Sequence, residues 1–135
     1  MDWTIAMLAF VAATCLGASA ASSTQHVDHS DPYDRCMHSG DAARGITVGI
    51  TDCEHQELDR KDKALNAVYA DLKKRLSRAR FAKLQASERQ WIARRDRHCW
   101  GKDPDFEGGT LADVMSLSCL ISETETRTEW LLRYR

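Results

Sequence analysis

Two rhythms of apolar residues run along this chain. Residues 3–18 form a nearly unbroken apolar run, Trp-Thr-Ile-Ala-Met-Leu-Ala-Phe-Val-Ala-Ala-Thr-Cys-Leu-Gly-Ala. From Cys53 onward the spacing becomes helical: Leu58, Leu65, Tyr69, Leu72 and Leu76 recur at intervals of seven, four, three and four. This predicts a helix from Cys53 to about Arg80, with Asp52 as its N-cap and Glu54 and Glu57 in its first turn, where acids suit the helix dipole. A second helix is predicted from Phe81 or Ala82 to about Cys99, with Leu84, Trp91 and Ile92 on one side. Gly101 to Thr110, with Pro104, Gly108 and Gly109, reads as the interior loop. A third helix runs from Leu111 to the C-terminus, its apolar side formed by Leu111, Val114, Met115, Leu117, Ile121 and Leu131. Residues 36–52, with Gly40, Gly45 and Gly49, read as irregular or briefly helical. Short connections make sequential helices antiparallel neighbours. The expected fold is all-α: a small antiparallel three-helix bundle, a long helical hairpin plus a C-terminal helix.

The length of 135 residues fits one domain. The N-terminal apolar run is too short and too terminal to span a membrane. It is followed by Ala18-Ser19-Ala20, a small-x-small cleavage pattern, so residues 1–20 read as a signal peptide. The acidic Asp2, and the lack of Lys or Arg before the run, depart from the usual pattern. Cys15 is preceded by Ala12 and Thr14 rather than by a lipobox, and cleavage after Ala20 removes it. No stable membrane anchor is then expected. Residues 21–35, rich in Ser, His and Asp, read as a flexible leader. Its His26, Asp28, His29 and Asp31 fit a solvated tail better than a metal site. The folded domain is expected over residues 36–135.

That domain holds Cys36, Cys53, Cys99 and Cys119. An even number of cysteines in a short exported chain predicts two disulfides. His38, His55 and His98 lie within two residues of a cysteine, but no Cys-x-x-Cys spacing supports zinc. Three pairings are open. The two crossover pairings, Cys53–Cys99 with Cys36–Cys119 and Cys53–Cys119 with Cys36–Cys99, suit a helical hairpin. The local pairing, Cys36–Cys53 with Cys99–Cys119, is expected to leave the helices unlinked.

Charge is unevenly placed. Residues 21–59 carry eight acids and two bases, a net of −6; residues 60–100 carry thirteen bases and four acids, a net of +9; residues 101–135 carry seven acids and four bases, a net of −3. A hairpin puts Lys73, Lys74, Arg75, Arg78, Arg80 and Lys83 at one end. The leader and the loop with Asp103, Asp105 and Glu107 fall at the other. Such a dipolar molecule can steer a partner of opposite sign. Nucleic acid is a poor partner: export removes the chain from it, and no aromatic ladder interleaves the basic run. Catalysis has no visible seat. There is no Gly-x-Ser-x-Gly, no His-Glu-x-x-His and no phosphate-cradling glycine loop. The cysteines are expected to be oxidised, and the carboxylates are scattered. The reading is a binding protein without a cofactor.

One ordered set of residues is specific: Asp62-x-x-Leu65-Asn66-x-x-Tyr69-x-x-Leu72, Trp91-x-x-x-Arg95-Asp96-x-x-Cys99, Gly108-Gly109, Cys119 and Thr124-x-x-Arg127-x-x-x-Leu131. It resembles the LprI-type lysozyme inhibitor domain, a family of small exported bacterial proteins, over about Cys36 to Leu131. The resemblance implies an envelope protein, periplasmic or secreted, and lysozyme as its partner. Two features depart from the family. Many relatives have Ala-Gln where this chain has Ser87-Glu88, and the namesake is a lipoprotein.

Leu65, Leu72 and Trp91 read as core. Asn66 and Tyr69 are expected to satisfy buried polar groups. Asp62, Arg95, Asp96 and Arg127 read as an inter-helix ion network near the cysteines, which specifies packing more than it stabilises. The expected partner surface is the loop after Cys99, namely Asp103, Asp105, Glu107, Gly108 and Gly109, inserted into a lysozyme cleft. The alternative is a non-inhibitory envelope module, using the basic tip on anionic glycans or phosphates or recognising another protein.

Overall fold

The computed structural model describes residues 31–100 and 109–135. They form α1 (Pro32–Met37), α2 (Gly40–Ala43), α3 (Thr47–Arg75), α4 (Arg78–Cys99) and α5 (Thr110–Arg133), with no strand among the described residues. The three long helices are the expected bundle. The short α1 and α2, in the segment expected to be briefly helical, pack against α3. The expected signal peptide and most of the expected leader lie outside the described residues. The last residues of that leader open α1, where Asp31 Oδ1 accepts from Tyr33 N at 2.9 Å.

Helix directions follow from paired positions. On α3 and α5, Glu54 meets Ser118 and Lys61 meets Glu125, each pair 64 residues apart, so these two helices run parallel. On α4 and α5, Glu88 meets Arg127 while Arg95 meets Thr124, so α4 runs antiparallel to α5. The most extensive backbone approach is between α3 and α5 rather than within the α3–α4 hairpin.

Two helix boundaries differ from those read off the apolar spacing. Helix α3 starts at Thr47, not Cys53, so Asp52 is an exposed mid-helix residue rather than an N-cap. Gly49 does not break the helix. It lets α2 come close: a Cβ there would lie 2.5 Å from the Ala42 nitrogen and 2.6 Å from the Asp41 Cβ. The hairpin turn falls at Leu76–Ser77 rather than near Phe81. Ser77 ends the run because its Oγ accepts from Arg80 N at 3.4 Å and caps α4.

Leu65, Leu72, Leu84, Trp91 and Leu131 form the core cluster, with Val68, Tyr69, Leu76, Phe81 and Tyr134 packed against it. The buried stripe of α5 is Leu117, Leu120, Thr124, Arg127 and Leu131, spaced three, four, three and four. Leu117 and Leu131 were expected on the core side; the two polar members were not, and Leu111 and Met115, expected there, are 55% and 53% exposed, as Ile92 of α4 is 43% exposed.

The disulfides are Cys36–Cys53 and Cys99–Cys119, with Cα separations of 5.7 and 5.5 Å. This is the local pairing, and the expectation that it leaves helices unlinked is wrong. Cys36 lies in α1 and Cys53 in α3; Cys99 ends α4 and Cys119 lies in α5. Each bridge joins two helices across a short loop, and closing loops of this length contributes about 3 kcal/mol apiece.

Candidate functional site

The family-type residues gather around Trp91. Its ring, 6% exposed, has the Arg95 guanidinium 5.0 Å from its centroid and that of Arg127 at 5.6 Å. Arg127 also lies over Trp130 at 3.9 Å. Spacing explains the arrangement: Trp91 and Arg95 share a face at i, i+4, and Thr124 and Arg127 share one at i, i+3. Arg127 donates from Nε and Nη2 to Glu88 Oε1 at 2.9 and 2.6 Å, and from Nη2 to Ser87 Oγ at 2.8 Å. Arg95 donates to Asp96 Oδ1 at 3.0 Å and to the fully buried Thr124 Oγ1 at 3.2 Å, and lies 3.8 Å from Asp62 Oδ1.

The expected single network is therefore two. Arg95 gathers Asp62 and Asp96, while Arg127 takes Glu88 and Ser87, the two positions that depart from the family pattern. Asn66 does not satisfy a buried group, because it is exposed. Tyr69 is half-buried and packs against Phe81 with the rings tilted, centroids 5.3 Å apart. These assemblies hold the helices together.

A second polar cluster lies between α1, α3 and α5, and sequence reading missed it by treating its acids as exposed first-turn residues. Glu54 is 1% exposed and accepts from Ser118 Oγ through Oε1, while its Oε2 has no hydrogen-bond partner among the described residues. Burial pushes the Glu54 carboxyl above the ordinary glutamate value, against the Ser118 hydrogen bond and the His55 charge. Glu57, also buried, accepts from Arg60 Nε at 2.8 Å and lies 3.4 Å from Lys61 Nζ. Lys61 donates to Glu125 Oε1 at 2.6 Å, and that bond holds its ammonium above the usual lysine value. Burial, with Glu54 and Glu57 nearby, raises the Tyr33 phenol. Glu54 and Glu57 are the buried members of the cluster, while Arg60, Lys61 and Glu125 reach the surface.

The third region is the end of the bundle where α3 and α5 begin and α4 ends, beside the Cys99–Cys119 bridge. Ile46, Val48, Trp100, Leu111 and Met115 are all exposed there, from 43% to 64% of their surface. Asp113 lies in the first turn of α5, whose N-cap is Gly109 at φ +130°. That backbone region is open to glycine and strained for other residues. Of the expected partner-binding residues, Gly109 is placed here; Asp103, Asp105, Glu107 and Gly108 lie outside the described residues. Monomeric proteins seldom gather large exposed apolar residues at one end without a partner. The i, i+4 spacing of Leu111 and Met115 was the visible signal, taken for a core face.

Among the described residues no helix is long and apolar enough to cross a membrane, and no group of three or more His, Cys, Asp or Glu is placed to hold a metal ion. Comparison with known proteins gives one family: the model described as "Lysozyme inhibitor LprI" matches residues 36–131. No curated protein and no solved structure matches.

Proposed function

The chain belongs to the lysozyme inhibitor LprI family, and from that premise we propose that it binds lysozyme-like muramidases and blocks their attack on cell walls. The family match over residues 36–131 is the observation that carries this reading. It is an inhibitor family rather than an enzyme family, and it implies a protein partner.

The surface we assign to the partner is the disulfide end of the bundle. Lysozymes cleave glycans with paired carboxylates set in a cleft. A loop anchored at Cys99 and Cys119 is suited to entering such a cleft. Asp103, Asp105 and Glu107 supply charge opposite to a basic lysozyme, and Gly108 and Gly109 let the backbone approach closely. Leu111 and Met115, with Ile46 and Val48 at the start of α3, supply apolar contact beside it. Disulfides suit an oxidising compartment, which fits export through residues 1–20 to the periplasm or beyond.

The test is association with a basic lysozyme immobilised on a sensor surface, run at two salt concentrations. Replacing Asp103, Asp105 and Glu107 together by Ser should slow association, because rim charges act mainly on the on-rate. Replacing Leu111 and Met115 by Ser should speed dissociation, the usual locus of lost contact. If neither variant changes the kinetics, the disulfide end is not the partner surface.

A further inference from the structure

Helix α4 carries seven Arg and Lys residues along its length, and its exposed side is almost free of acid. Arg78, Lys83, Arg89, Arg94 and Arg97 are exposed, and none pairs with an acid among the described residues. At about 100° per residue they fall within one arc of roughly 160°, opposite Leu84, Glu88 and Trp91. From Arg78 to Arg97 the arc runs about 29 Å along the axis. The helix has two acids: Glu88 is buried against Arg127, and Asp96 is bound by Arg95. An open groove of about 480 Å³ lies beside this face, lined by Trp91, Arg94, Arg95, Arg97, His98 and Glu123.

Elsewhere on the bundle several surface cations are neutralised locally, Arg44 by Asp41, Lys63 by Asp59, Arg75 by Asp71 and Arg133 by Glu129, while Lys73 and Lys74 in the last turn of α3 have no ion pair among the described residues. The uncompensated charge is thus concentrated on α4. Ion pairing and the dipole of a single helix end do not account for cations spread over its whole length, since the dipole acts only within the last turn.

We propose that the outer face of α4 docks the protein, lying on its side, against an anionic lipid bilayer. A planar surface engages cations spread over a wide arc, whereas a linear polyanion engages a line of them. Two further features favour a bilayer. The groove between Arg94 and Arg97 is large enough for a phosphate headgroup. The half-exposed Trp130 lies on α5 close to Ser87 of α4, through Arg127, and offers the amphipathic ring that membrane interfaces favour. The contact is peripheral and electrostatic. It uses a flank of the bundle and none of the exposed apolar residues assigned to the lysozyme contact, so it does not rest on the lysozyme reading.

The test is co-sedimentation of the purified protein with vesicles of phosphatidylglycerol and phosphatidylcholine, and with phosphatidylcholine alone. Binding is expected to the first and not to the second, and to be lost between 0.1 and 1 M salt, as the Debye length falls from ~10 to ~3 Å. Replacing Arg78, Lys83, Arg89, Arg94 and Arg97 by Ser should lower partitioning at least ~100-fold. Arg89→Ser with Arg94→Ser, a milder variant, should lower it at least ~5-fold with helicity unchanged. Lys73→Ser with Lys74→Ser, off this face, should change it by less than about threefold. Absence of binding to anionic vesicles at low salt, equal binding to both vesicles, or binding that survives loss of the five cations would overturn the proposal. So would capture by a soluble sulfated polysaccharide without any vesicle binding.

Discussion

The Glu88–Arg127 pair allows a sharp test of how the bundle is held. Both side chains are nearly inaccessible, 10% and 8% exposed, and one carboxylate oxygen accepts two bonds from the guanidinium at 2.6 and 2.9 Å. Glu88→Met keeps the volume and removes the acceptor. Arg127 then retains only Ser87 Oγ and its stacking on Trp91 and Trp130. Leaving a buried charge uncompensated costs about 3–5 kcal/mol, and the remaining contacts argue for the lower end, about 3 kcal/mol. Glu88→Gln also removes the counter-charge but keeps an oxygen acceptor for both Arg127 bonds, which holds the cost to about 1 kcal/mol. In a domain of this size about 1 kcal/mol moves the melting temperature by roughly 4–8 °C, so the two variants separate clearly. The double variant Glu88→Met with Arg127→Met should recover to within about 1 kcal/mol of the parent, since apolar replacement of a buried pair is often neutral. The assay is guanidinium denaturation followed by circular dichroism, with the slope required to stay constant. If Glu88→Met and Glu88→Gln fall within about 0.5 kcal/mol of each other, the hydrogen bonds to Arg127 do not carry the packing assigned to them.

Three further outcomes are expected. Gly49→Ala should destabilise by about 1–3 kcal/mol, because the new methyl meets the backbone of α2 rather than a side chain that can move; an unchanged denaturation midpoint would refute that close approach. Glu54 has a raised carboxyl, so the folded state binds its proton more tightly than the unfolded state, and stability falls as pH rises from the ordinary glutamate value through the raised one. Glu54→Gln keeps an acceptor for Ser118 and should match the parent near pH 4 but exceed it at pH 7; parallel stability–pH curves would contradict the assigned burial. Cys99→Ser with Cys119→Ser should lose about 3 kcal/mol by opening the loop closed across 20 residues; a loss under about 1 kcal/mol would show that the bridge is incidental.

What was legible in the chain, and what was not, divides along physical lines. The helical spacing of Leu65, Leu72 and Trp91 reports burial against a partner, and those residues do form the core. The stripe of α5 was read only in part, at Leu117 and Leu131, because Thr124 and Arg127 are buried by virtue of their partners across the bundle, information that no local period contains. Ser77 is a residue type with a mechanism for ending a helix, yet the run of basic helix formers around it masked the stop. Disulfide connectivity depends on which helix ends meet, and the parallel course of α3 and α5 decides that only in three dimensions. Glu54 and Glu57 look solvated when α3 is started at Cys53; starting it at Thr47 and packing α1 and α5 around it buries them. The departure at Ser87-Glu88 was visible in the chain, but its consequence, a charged partner for Arg127, needed α4 and α5 side by side. The resemblance to LprI-type inhibitors rested on ordered residues along most of the domain, and the family match covers the same span.

The central claim, that this chain restrains lysozyme, is tested most directly by lysis of bacterial cell walls. Turbidity is followed with a panel of lysozymes, with and without a molar excess of the purified protein. At low ionic strength at least one basic lysozyme should slow in proportion to added protein until the two are equimolar, and the inhibition should weaken as salt rises. Unchanged lysis by every lysozyme in the panel, with no complex detectable at low salt, would contradict the account.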